Sequence, residues 1–187
     1  RGCVPKKLLV YGSKFAHEFE DAEAFGWTVS STAHSWPTLR DNVQKEVDRL
    51  NAVYLRLLDG AGVKLHMGRG RFMDRHTIMV GEQTITAEKF LVATGGRPVI
   101  PPIPGAEHAI TSNEAFHLPT MPRRIAIVGA GYIAVEFAGI FNGLGARVDL
   151  VLRRDRVLRG FDEECRTFVH DSLKESGIKL RTEMQIG

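Results

Sequence analysis

At 187 residues, 43% hydrophobic and 25% charged, the chain has an ordinary soluble globular composition, which excludes a disordered or fibrous protein. A formal charge of +3 with both signs interspersed is too mild to argue for a nucleic-acid partner, and no run of about eighteen apolar residues offers a membrane helix. Two cysteines, Cys3 and Cys165, are too few for a disulfide scaffold, and their spacing to the seven histidines fits no metal site; a reducing cytoplasm or organelle matrix is the expected compartment.

Residues 5 to about 19 have a helical pattern, with Leu8, Leu9, Phe15 and Phe19 available for burial. Residues 25–31 read as a connection. Trp36-Pro37-Thr38 opens a second helix running to about Leu58, in which Val43, Val47, Leu50, Tyr54 and Leu57 recur at three- and four-residue steps, the signature of one buried face. Asp59-Gly60-Ala61-Gly62 stops it. Short alternating runs at 63–67, 70–72, 77–80 and 84–86 predict an antiparallel meander, and 90–93 a buried strand leading into Thr94-Gly95-Gly96. Pro98, Pro101, Pro102, Pro104 and Gly105 then mark an extended crossover, which places a domain boundary between residues 97 and 98.

The next unit carries most of the information. Residues 125–128 are apolar and β-branched, 147–152 supply a second strand, and between them Gly129-Ala130-Gly131-Tyr132-Ile133-Ala134 fits the dinucleotide fingerprint GxGxxG/A. Gly129 permits the tight turn, Gly131 lets a pyrophosphate approach the backbone, and Ala134 lets the helix pack closely on its strand. The N–H groups and positive dipole at the helix start then hold the phosphates. Enzymes preferring NAD place Asp or Glu about 20 residues after the first glycine. Here Leu152 stands there, followed by Arg153, Arg154, Asp155, Arg156 and Arg159. Guanidinium groups grip a 2′-phosphate that a carboxylate would repel, so NADPH is favoured over NADH; the plain alternative is a solvated basic loop. A helix over 165–176, a stop at Gly177 and a third parallel strand over 179–182 complete an α/β pattern. Such a sheet cannot cover both faces, so the domain reads as cut short.

Cys3 stands at a helix start beside Lys6 and Lys7, where the helix dipole and the cations favour thiolate. Inert packing is the competing reading of that cysteine; Cys165 reads as a buried structural thiol.

Arg1-Gly2-Cys3-Val4-Pro5-Lys6-Lys7-Leu8, with Ala93-Thr94-Gly95-Gly96 and the glycine motif running into Val135-Glu136, resembles the glutathione reductases among the FAD-dependent pyridine nucleotide–disulfide oxidoreductases. The resemblance covers essentially the whole chain. It implies a Rossmann-like FAD/NAD(P)-binding fold: residues 1–97 as the C-terminal part of an FAD domain, including the meander, and 98–187 as the N-terminal part of an NADPH-binding βαβ domain. It implies FAD and NADPH as cofactors, glutathione disulfide as substrate and a homodimer as the parent enzyme. Cys3 matches the flavin-proximal cysteine of a CxxxxC disulfide whose partner falls three residues before Arg1. Lys6 matches a lysine beside flavin N5 that is ion-paired with the counterpart of Glu136, and Tyr132 matches a lid over the flavin. Arg153 and Arg159, assisted by Arg154, match the 2′-phosphate clamp. Thr94 and Gly95 match the loop closing over FAD, Gly70 a contact to its adenine end, and Tyr54 a tyrosine lining the glutathione disulfide site.

Neither the first FAD glycine motif, nor the first cysteine, nor the family's histidine–glutamate acid–base pair is present, so the chain reads as an internal fragment that does not turn over alone. Rival readings are a reductase for another small disulfide, such as trypanothione or mycothiol, and a non-catalytic NADPH-binding module.

Overall fold

The computed structural model describes residues 2–186; Arg1, which opens the redox segment quoted above, and Gly187 lie outside them. Two compact units divide the chain: Arg1–Val47 with Ile100–Gly187, and Asp48–Val99. The larger unit thus takes in the first helix together with the dinucleotide segment. Compactness follows packing, whereas the boundary expected at 97/98 follows the proline-rich crossover.

In the larger unit α1 (Cys3–Ala22) accommodates Pro5 within its first turn, where its missing N–H costs nothing. Pro5, Lys6, Leu9 and Ser13 form its buried stripe, which lies on α4 (Tyr132–Gly143). The two backbones nearly touch: a Cβ on Gly143 would stand 2.8 Å from the Ser13 carbonyl oxygen. Ser13 satisfies its own hydroxyl by donating to the Val10 carbonyl at 2.8 Å. Leu9 is buried as expected, but Phe15 and Phe19 are exposed. At roughly 100° per residue they project away from the stripe, and they pack on each other instead, ring centroids 6.3 Å apart.

The start of α2 (Trp36–Gly60) is pinned to the segment that leads into the sheet. Trp36 Nε1 donates to the Leu118 carbonyl at 2.7 Å, and Arg40 Nη1 donates to the carbonyls of Leu118 and Pro119. Trp36, Phe116, Phe137 and Phe141 form an aromatic cluster on one side of α4. Further along α2 the expected buried face fades: Val43 is buried, Val47 and Leu50 are half-buried, and Tyr54 and Leu57 are exposed. An amphipathic stripe is buried only where another element covers it.

Strands β4 (Arg124–Val128), β5 (Arg147–Val151) and β6 (Lys179–Arg181) make a parallel sheet in the order β4-β5-β6, with Arg124 opposite Arg147 and Leu150 opposite Leu180. The core lies between this sheet and α4, with Phe141, Ile140, Val148, Leu150, Leu152 and Val157 fully buried. Arg124, Ala126 and Val128 are exposed along β4, which fits the expectation that three such strands leave one face open. A four-residue helix, α3 (Ser112–Ala115), is held by a capping box of Thr111 and Glu114. Helix α5 (Glu163–Glu175) is capped by Asp162 and buries Leu173. Cys165 is exposed, not the buried thiol expected: it sits in the first turn of α5, about two turns before the buried Leu173.

The smaller unit is the antiparallel meander β1 (Gly70–Asp74), β2 (Thr77–Val80) and β3 (Gln83–Thr86), in that order. Residues 63–67 and 90–93, expected as strands, are irregular; Leu91 is 92% exposed. Strand formation needs a ladder partner, and none of the described residues pairs with either run. At the β1–β2 turn the His76 N–H donates to Asp74 Oδ1 at 2.7 Å. That bond, helped by the Thr77 hydroxyl, holds the Asp74 carboxyl below its ordinary range.

Replacing Leu9 by Ala should cost about 2–5 kcal/mol in denaturant unfolding, while Phe15→Ala should change stability by less than about 0.5 kcal/mol. The Asp74 contribution is complete above the ordinary aspartate range and fades as pH falls through the lowered folded value. A carboxyl NMR titration should therefore place Asp74 below the ordinary aspartate range, and Asp74→Asn should remove that acid dependence.

Candidate functional site

The glycine turn joins β4 to α4. Gly129 has φ +137, a conformation closed to ordinary residues, and its N–H donates to the Val151 carbonyl at 2.9 Å. A Cβ on Gly129 would lie 3.4 Å from the Ala134 methyl, in ordinary contact, so the turn and the helix start already pack side by side and the backbone angle is what demands glycine. At Gly131 a Cβ would meet nothing within 4 Å, which leaves open space directly over the backbone. The first backbone bond of α4 runs from the Val135 N–H to the Gly131 carbonyl. The N–H groups of the first turn, Tyr132, Ile133 and Ala134, therefore have no partner within the helix and are available to an anion. This cradle fits a dinucleotide pyrophosphate.

Beyond β5, Leu152 is buried where a ribose-binding carboxylate would otherwise stand. The arginines that follow separate into two kinds. Arg156 is consumed internally, bonded to Asp155, to the Thr167 hydroxyl at 2.8 Å and to Glu163 at 3.6 Å. Its guanidinium holds the Asp155 carboxyl below the usual range. Arg153, Arg154 and Arg159 are exposed, and their side chains make no ion pair among the described residues. Three free guanidiniums beside the glycine turn's own strand fit a phosphate monoester.

On the α1 side, the Lys6 side chain is 9% exposed and forms an ion pair with Oε2 of Glu136, which is 37% exposed. Lys6 Nζ also stands 4.8 Å from the centroid of the Tyr132 ring. Tyr132 and Glu136 are four residues apart on α4 and so share a face. The ammonium is thereby held between a carboxylate and an aromatic face, with the tyrosine ring still exposed to a ligand. Cys3 is exposed at the start of α1, about one helical turn before Lys6.

The larger unit therefore brings together Lys6, Tyr132, Glu136 and the glycine turn, with the arginine loop at the end of β5. The smaller unit holds Tyr54, exposed on α2; Gly70, at the head of β1 opposite Val80; and Thr94 and Gly95, exposed in irregular chain where Gly95 has φ +70. Sequence reasoning missed Gly68, where φ is +146 and a Cβ would stand 2.8 Å from Val80 Cγ1, and Leu158, whose φ is +56. The glycine was open to view; a leucine carries no sign that its backbone is left-handed. Among the described residues no cluster of three or more His, Cys, Asp or Glu could hold a metal, and no helix is long and apolar enough to cross a membrane.

Residues 1–187 match the family described as pyridine nucleotide-disulphide oxidoreductase. The chain belongs to that family. It is 49% identical over 180 residues to a glutathione reductase of Nostoc sp., covering 96% of this chain and 39% of that protein. It is 53% identical over 184 residues to the chloroplastic/mitochondrial glutathione reductase of Pisum sativum, covering 98% and 33%. A trypanothione reductase of Leishmania donovani is 42% identical over 198 residues, covering 98% and 40%. Among solved structures, the Cu(II) complex of the flavoprotein disulfide reductase RclA from Escherichia coli superposes with a TM-score of 0.78 at 24% identity, covering 99% of this chain and 40% of that one; the likeness shows the α/β fold. The chain thus spans a third to two-fifths of the length of the curated relatives, between 33% and 40%.

Within this pyridine nucleotide–disulphide oxidoreductase chain, Glu136→Gln leaves the nearly buried Lys6 ammonium without its counter-charge. The expected cost is about 1–3 kcal/mol in denaturant unfolding, below the fully buried case because Glu136 keeps some solvent. Adding Lys6→Met should recover part of that loss, and a fully additive double variant would rule out the coupling.

Proposed function

We propose that the chain is an internal segment of an FAD-dependent glutathione-disulfide reductase that draws electrons from NADPH. The observation that carries this reading is the Lys6–Glu136 pair beneath Tyr132, which ties the helix bearing Cys3 to the helix that opens with the glycine turn. The coverage of the relatives, 33–40% of their length, supports the reading as a segment. Residues 1–97 then belong to the FAD-binding domain and residues 98–187 to the NADPH-binding domain.

When bound, FAD and NADPH supply hydride transfer and the passage of two electrons to a disulfide. Gly129, Ala130, Gly131, Ile133 and Ala134 cradle the NADPH pyrophosphate, while Arg153 and Arg159, with Arg154 beside them, hold the 2′-phosphate that distinguishes it from NADH. Gly70, Thr94 and Gly95 line the FAD site. Lys6 keeps a positive charge where negative charge gathers during transfer, and Glu136 fixes its position. Tyr132, exposed beside Lys6, would shield a bound flavin and give way to the nicotinamide of NADPH. Cys3 is the flavin-side thiolate of the redox disulfide, and Tyr54 lines the pocket for glutathione disulfide. Two electrons would open the disulfide between Cys3 and its partner cysteine. The thiolate of that second cysteine would attack glutathione disulfide, forming a mixed disulfide and releasing one glutathione. Cys3 would then attack the mixed disulfide, releasing the second glutathione and restoring the redox disulfide. We place the enzyme in the cytoplasm as a homodimer, as the resemblance to bacterial glutathione reductases implies.

A reductase for a different small disulfide is the second reading, favoured by the 42% identity to a trypanothione reductase across 98% of this chain. Both readings share the nucleotide and flavin chemistry and part only at the substrate.

NADPH oxidation by the intact protein, followed by absorbance with glutathione disulfide and trypanothione disulfide as acceptors, separates them. Rapid turnover with glutathione disulfide, lost on the order of a thousandfold or more in Cys3→Ser, is the expected result. Arg153→Leu should raise KM for NADPH about 10- to 100-fold. Turnover with trypanothione disulfide alone would select the second reading. A folded protein that binds NADPH but no flavin would leave only a nucleotide-binding module.

A further inference from the structure

Leu158 has φ +56, and it is one of only two non-glycine residues with positive φ among the described residues. The left-handed region is unfavourable for any residue with a Cβ, and a leucine has no polar side chain to compensate locally. The surroundings explain how it is held there. The Leu158 N–H donates to the Ala130 carbonyl, in the middle of the glycine turn, at 2.6 Å. Its carbonyl accepts from the Phe161 N–H at 3.1 Å, and Gly160, with φ +89, completes the reversal. The Leu158 side chain is 9% exposed and Val157 is fully buried. From behind, Arg166 Nε donates to the Val157 carbonyl at 2.9 Å, while Arg156 ties the loop to α5 through Thr167. Arg159 therefore sits between two left-handed residues, and its chain neighbour is bonded directly to the turn where the pyrophosphate would lie. A glycine would adopt this backbone at no steric cost. Leucine at this position combines the left-handed turn with an apolar anchor that a glycine lacks.

We propose that Leu158 is a positioning residue for nucleotide selectivity: it fixes the backbone of Arg159 against the glycine turn, so that the arginine meets the 2′-phosphate already in place. The inference rests on the reading that this turn and loop bind NADPH. Leu158 itself need not touch the nucleotide; its effect passes through Arg159.

The test is a double-mutant cycle on the intact protein, with NADP⁺ and NAD⁺ affinities measured by titration calorimetry. Leu158→Gly accepts the backbone angle but removes the anchor and frees the loop. It should reduce the NADP⁺/NAD⁺ affinity ratio about tenfold, and Arg159→Ala should then reduce it by much less in the Leu158→Gly background than in the parent. A role in folding alone would weaken both nucleotides together and leave the ratio where it was. An unchanged ratio, or effects of Leu158→Gly and Arg159→Ala that simply multiply, overturns the proposal. If Leu158→Gly does not fold, Leu158→Asn, which also tolerates the left-handed region, carries the same cycle with the same two outcomes. A parent protein that binds NADP⁺ no better than NAD⁺ instead overturns the NADPH reading, and this inference with it.

Discussion

Helices α1 and α4 cross so closely that Gly143 has no room for a side chain, its position facing the Ser13 carbonyl across a gap of 2.8 Å to a would-be Cβ. Everything at the candidate redox centre follows from that approach. Lys6 lies on the same stripe of α1 as Leu9 and Ser13, so seating the stripe on α4 takes its ammonium out of water. A cation so placed must find a counter-charge, and Glu136 on α4 provides it. The same face of α4 carries Tyr132 one turn earlier, beside the glycine turn. One packing contact thus couples a cysteine-bearing helix start to the helix start that carries the glycine turn.

The loop after β5 works by a division of labour among like residues. Arg156 and Arg166 spend their donors on Glu163, Thr167 and the Val157 carbonyl, bracing the loop against α5. That leaves Arg153, Arg154 and Arg159 exposed, with no ion pair among the described residues. Exposed guanidiniums in water gain little from distant carboxylates, but a phosphate brought next to them forms short, charge-assisted, paired bonds. The bracing arginines and the free ones are chemically identical, and only their neighbours assign them different tasks.

Local patterns were legible where the chain itself enforced them. The βαβ unit, its GxGxxG/A turn and the β1–β2–β3 meander rest on short-range periodicity and on glycines with one backbone requirement, and they formed where expected. Burial was less legible. Phe15, Phe19, Tyr54 and Leu57 lie on recurring apolar spacings yet are exposed, and the apolar run around Leu91 makes no strand. Periodicity says that a face could be buried; it does not say that an element will cover it. Cys165 went wrong in a related way: it lies on the row of α5 that leads to Val169 and Leu173, but in the first turn, where it stays exposed.

By itself the sequence determined the order of elements, the α/β class, the glycine turn and the absence of a carboxylate at Leu152, because each depends on residues adjacent in the chain. Only the tertiary structure decided which charges meet. Lys6 and Glu136 are 130 positions apart, Arg156 finds Thr167 and Glu163, and Leu158 is forced into a left-handed backbone by a bond to Ala130. Such pairings depend on distances between elements, which are fixed by how side chains fill the space between them. No local pattern encodes those distances; for Lys6 and Glu136 the close approach of α1 to α4 at Gly143 sets it.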